Sequence, residues 1–265
     1  MPRLLLSAAE RQLAALLSAA CAAVAAFLGV RFAHHSRAGW LDTAVDDRIR
    51  ASLGDHPALL NPLVDLGSAI PVTVLTTALV LLCLATRRWR GAVLAAVAVP
   101  AAAALTERVL KPLVDRTLQG GLSYPSGHST GVFALAAVIA VLLAGPLQPR
   151  LPAAVRLLLG LTAYLAAAAV AVALVGMGLH YFTDTVGGAA VSTAVVLLTA
   201  LVIDWLGAAR IAHPARAERL PGQGCFESDL GHAGQRPADR AADLGGGGVL
   251  LEGGLVESRH PADGH

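Results

Sequence analysis

The chain has 265 residues, enough for one domain or at most two. Residues of the AVILMFWYC class make up 55%, charged residues only 14%, and the mean hydropathy is +0.64, whereas an average soluble chain is about 25% charged. That balance excludes an ordinary water-soluble globule, and a net charge of +2 leaves no basic footprint for nucleic acid.

A hydrocarbon core about 30 Å thick calls for roughly 20 apolar residues per helix. Runs of that kind occur at 12–32, 63–85, 91–110, 129–147, 152–176 and 187–206. They predict an all-α, six-span transmembrane bundle over residues 1–210. The first run is long for the apolar stretch of a signal peptide and lacks a persuasive cleavage site, so it reads as a retained helix. A lipid-attachment reading of Leu17-Ser18-Ala19-Ala20-Cys21 fits poorly, because Ser18 stands where an apolar residue is usual and the run continues to Phe32. Cys21, Cys83 and Cys225 lie far apart and form neither a disulfide framework nor a metal motif.

Between the first two runs, Leu41, Val45 and Ile49 recur at intervals of four. This spacing predicts a short helix with one apolar stripe lying on the membrane surface. The turn Thr86-Arg87-Arg88-Trp89-Arg90 is the strongest basic signal between two spans and is expected to face the cytoplasm. With six spans, both termini are then cytoplasmic, and segments 33–62, 107–128 and 177–186 face outward. Arg outnumbers Lys nineteen to one, a bias typical of GC-rich bacterial genomes, so a bacterial cytoplasmic membrane is the expected location. Residues 1–210 hold 15 basic and 10 acidic side chains, and 211–265 hold 5 and 8. That last segment, rich in Gly and Pro with mixed charge, predicts a disordered cytoplasmic tail.

The outward segments hold the rarest side chains. His128 and His180 are the only histidines between residues 57 and 212, and Lys111 is the only lysine in the chain. Ionisable groups in spans and at bundle ends are costly and usually functional. Ser126-Gly127-His128 follows Pro125 just before the fourth run. A helix starting there would offer free amides to a phosphate, although a plain Ser N-cap explains the same residues. His180 and Asp184 stand at i and i+4, where a carboxylate on one helical face could orient an imidazole. A surface polar pair or two metal ligands are the alternatives, but no convincing further ligand set accompanies them. Lys111 and Arg116 could complement a helix C-terminus, and Glu107 stands four residues before Lys111 in the order that favours an ion pair.

Taken together, a basic pair, then Pro-Ser-Gly-His at 125–128, then His180-xxx-Asp184 resembles the type 2 phosphatidic acid phosphatase (PAP2) superfamily, over most of residues 40–206 with its motifs within 107–188. The resemblance implies a phosphatase acting on a lipid phosphate or isoprenyl pyrophosphate, metal-independent and without a cofactor. It implies that His180 attacks phosphorus, Asp184 orients it and His128 protonates the leaving group. Lys111, Arg116, Ser126 and Gly127 would hold the phosphate oxygens. Two family arginines are missing, with Leu118 at one place and Ala173-Leu174 where Ser-Arg is expected. Arg108, one turn before Lys111, is a candidate to compensate. The missing cations also leave room for a catalytically silent binder or transporter of phosphorylated lipids on the same fold. A generic bundle, whose polar groups merely cap helices, would place His128 and His180 far apart.

Overall fold

A computed structural model of the chain describes residues 5–145 and 151–212. The helices are α1 (Ala8–Phe32), α2 (Trp40–Leu53), α3 (Pro57–Leu66), α4 (Ala69–Ala85), α5 (Trp89–Leu105), α6 (Lys111–Val114), α7 (Gly127–Ala144), α8 (Ala153–Gly176) and α9 (Phe182–Ala212), with a π-helical turn, Thr106–Leu110, joining α5 to α6. Among the described residues, five helical stretches are long and apolar enough to cross a membrane, and there are six if the bent pair α3–α4 counts as one span. The chain is an all-α integral membrane bundle, as its composition predicts. Ile70, Val30 and Leu16, each 70% or more exposed, are among many exposed large apolar side chains, a belt that water would not tolerate and lipid would cover.

The interior is built from small residues. Leu94, Ala95, Ala98 and Ala102 of α5 are fully buried, as are Ala134 and Val138 of α7 and Val196 and Ala200 of α9. In lipid there is little hydrophobic drive between helices, so close backbone approach through Ala and Gly is what binds them. α9 packs on α1, α5 and α7, while α8 packs on α7, α3 and α2.

Two local departures from the predicted elements shape the polar end. The second run is not one continuous helix: α3 and α4 meet at 51° across Gly67-Ser68, because Ser68 adopts an extended N-cap conformation and Pro71 at the start of α4 has no N–H to extend the α3 ladder. Second, α5 widens before α6, where the Lys111 N–H reaches back five residues to the Thr106 carbonyl. Pro112 cannot fit against the carbonyl four residues before it, which favours that widening.

After α6 the chain makes a two-residue β-ribbon, β1 (Thr117–Leu118) with β2 (Gly121–Leu122), turning through Gln119 and Gly120 with both φ positive. That is the hairpin geometry that Gly favours. α9 runs to Ala212, two residues beyond the predicted membrane domain. The rest of the predicted disordered tail lies outside the described residues.

Candidate active site

The C-terminal ends of α1, α6 and α8 and the N-terminal ends of α7 and α9 meet in one polar layer. His34 N–H bonds the Val114 carbonyl at 2.8 Å, Thr117 N–H the His35 carbonyl at 3.0 Å, and Gln119 Nε2 the Gly178 carbonyl at 3.3 Å. The decisive tie is between two segments remote in sequence: the Ser126 N–H donates to the Asp184 carbonyl at 3.0 Å.

Ser126 is the N-cap of α7. Its Oγ accepts from the Ser129 N–H at 3.3 Å, and the side chain is fully buried. Gly127 and His128 form the first turn, where backbone amides have no intrahelical acceptor. Neither residue is fully buried. A Cβ built on Gly127 would lie 3.8 Å from Lys111 Nζ, and charges on His180, Lys111 and Glu107 act on the His128 imidazole. Lys111 Nζ stands 2.8 Å from Glu107 Oε1.

His180 does not share a helical face with Asp184. It lies in the turn before α9, while Asp184 occupies the third position of that helix. Asp184 Oδ2 accepts the Tyr181 N–H at 3.2 Å, the reach-back half of a capping box. It lies 3.7 Å from His180 Nδ1, within ion-pair range but beyond a hydrogen bond, and that buried nitrogen has no other partner. The helix terminus therefore takes the carboxylate oxygen that sequence spacing assigned to the imidazole.

Arg116, expected to hold phosphate, is completely buried. Its Nη1 donates to Asp184 Oδ1 at 2.6 Å and Thr183 Oγ1 at 2.7 Å, its Nη2 to Asp42 Oδ2 at 2.6 Å. The Phe32 and Tyr181 rings sandwich the guanidinium at 4.0 and 4.2 Å. With both ends committed to carboxylates and both faces covered, it organises Asp184 and offers nothing outward. Arg108 is exposed on the π-turn and bonds no site residue. Leu118 lies half-buried in β1, and Ala173 and Leu174 are buried in the α8 packing. Among the described residues, no group of three or more His, Cys, Asp or Glu is arranged to hold a metal ion.

Sequence reasoning missed Asp42 and Asp46. α2 forms where expected, but Leu41 is exposed and Asp42 and Asp46 are the buried face. Asp42 accepts the Thr183 and Gly39 N–H groups besides Arg116, and Asp46 Oδ1 accepts the Phe182 N–H at 3.0 Å. Burial pushes the Asp42 carboxyl up, but these bonds outweigh it and hold it below the usual range. Burial dominates at Asp46 and pushes it up to about 6. The signal was present in their i, i+4 spacing, which puts both acids on one helical face.

Residues 104–208 match the model of the PAP2 superfamily. That segment spans Lys111, His128, His180 and Asp184, so the resemblance read from the motifs is borne out, and the match supports a phosphatase-type membrane protein in general. Comparison with curated proteins and with solved structures gives no match.

Proposed function

We propose that the protein is a membrane phosphatase that hydrolyses a lipid phosphate or isoprenyl pyrophosphate through a phosphohistidine, at the outward face. What supports this most is the Ser126–Asp184 backbone bond, which joins the His128 turn to the His180 turn within reach of Lys111. A ring nitrogen of His180 attacks phosphorus while His128 passes a proton to the departing alkoxide or phosphate. His128 then accepts a proton from the water that cleaves the N–P bond, releasing inorganic phosphate and restoring both rings. Lys111 and the amides of Gly127 and His128 neutralise the equatorial oxygens, so positioning and fixed charge supply the catalysis without a metal. Asp184, held by Arg116, stands 3.7 Å from His180 Nδ1 and must close to hydrogen-bond distance to orient the ring for attack. An apolar cavity of about 620 Å³ between α1, α6 and α9, with Tyr124 in its wall beside Pro125, suits the alkyl chain of such a substrate.

The test is to incubate the detergent-solubilised protein with ³²P-labelled phosphatidic acid or isoprenyl pyrophosphate and quench. An acid-labile, base-stable label on wild type that disappears in His180→Ala is expected. Label retained by His180→Ala overturns the phosphohistidine. One observation favours a second reading, a silent binder: Arg116 is spent on carboxylates and Leu118 and Leu174 replace cations. In that case wild type and His180→Ala release phosphate at the same background rate.

A further inference from the structure

Glu107 sits against two of the residues proposed to hold the phosphate. Its carboxylate lies 2.8 Å from Lys111 Nζ and against the bare Cα of Gly127: a Cβ built there would collide with Glu107 Oε1 and lie 3.8 Å from Lys111 Nζ. Its charge acts on His128 together with that of Lys111. The side chain is half exposed, so water and an incoming anion can reach it.

We infer that Glu107 is an internal competitor for the phosphate site, occupying Lys111 and the first turn of α7 until substrate displaces it and reclaiming them when product leaves. The inference rests on the phosphate-site reading above and deepens it. The Glu107 end of this i, i+4 pair is half exposed and screened by water, so giving up the pair costs little. The repulsion between a carboxylate and a phosphate dianion in one cradle is the larger effect, and it weakens binding of inorganic phosphate. The π-turn that carries Glu107 sets this register, because the residue sits one helical turn before Lys111 on the widened stretch. A purely structural role for Glu107, holding Lys111 in place, predicts the opposite sign: its removal would loosen phosphate.

The experiment is calorimetric titration of inorganic phosphate into the full-length protein in detergent, at fixed ionic strength, for wild type, Glu107→Gln, Glu107→Ala and Lys111→Ala. Both Glu107 variants are expected to bind phosphate on the order of tenfold more tightly, and Lys111→Ala to lose binding. Detectable binding that appears only on replacing Glu107 supports the inference equally. If wild type binds and both Glu107 variants bind equally or more weakly, the inference is overturned while the phosphate site stands. If no protein in the series binds phosphate, the phosphate site itself is wrong.

Discussion

At the scale of single residues, the polar layer is an arithmetic of charge. Asp42, Asp46 and Asp184 are buried together with one fully buried cation, Arg116, and Arg50 reaches Asp46 only at 3.6 Å from a side chain that is 40% exposed. Removing one partner from a buried pair costs far more than the pair contributes, because an uncompensated charge is left behind. Asp42 and Asp184 share Arg116, whose hydrogen bond helps hold the Asp42 carboxyl down, whereas burial raises that of Asp46. Its pKa of about 6 exceeds the unfolded value of about 3.9, so the fold binds the extra proton. Its contribution to stability is therefore full below about pH 4 and is lost as pH rises through 6. A shift of that size is worth on the order of 2–3 kcal/mol. Thermal unfolding of the detergent-solubilised protein from pH 4 to 8, compared with Asp46→Asn, checks it. The variant is expected to gain on wild type across this window, and parallel profiles would remove Asp46 from the account.

At the scale of elements, the kinked α3–α4 pair presses its bend against the site. A Cβ on Gly67 would stand 2.8 Å from Val170 Cγ1 and 3.3 Å from His128 Cβ. Val170 is fully buried, so it has little room to yield, and the first turn of α7 must move instead. Gly67→Ala is expected to cost about 1–3 kcal/mol of stability. It should also lower kcat about tenfold with a smaller change in KM, since displaced catalytic groups lose rate steeply. Gly160 has open space around it, and Gly160→Ala should leave both unchanged. Phosphate-release kinetics and melting curves on the two variants decide whether the bend positions His128.

The same elements show what could be read from the chain alone. Long apolar runs announce spans because lipid leaves the backbone few alternatives, and Lys111, His128 and His180 stood out because ionisable groups are rare there. The role of Arg116 was not legible: its buried partners Asp42 and Asp184 lie 74 and 68 positions away, and no local spacing encodes that convergence. α2 misled because its stripe of Leu41, Val45 and Ile49 predicted a helix lying on the membrane surface, whereas Arg116 and the amides of Thr183 and Phe182 draw its acids inward.

At the scale of the whole molecule, the two polar ends of the bundle differ in kind. One carries the candidate site under α2. At the other, buried Asp204 accepts the Leu5 and Leu6 N–H groups at 2.8 and 2.9 Å and pairs with Arg90 at 3.1 Å. That clamp ties the start of α1 to the ends of the α4–α5 turn and α9. Arg87, Arg88 and Arg90 cluster within four residues there, in a short turn between two spans, where positive charge most strongly sets orientation. The expected topology therefore has this end in the cytoplasm and the site outside, where it would meet lipid head groups of the outer leaflet. Replacing Cys21, Cys83 and Cys225 with Ser and adding one cysteine at a time reads it directly. Asp55→Cys, exposed between α2 and α3, should react with a membrane-impermeant maleimide in sealed cells. Arg87→Cys, exposed in the basic turn, should react only after permeabilisation. The reverse pattern would put the candidate site inside, so that any lipid substrate would have to reach it from the cytoplasmic leaflet.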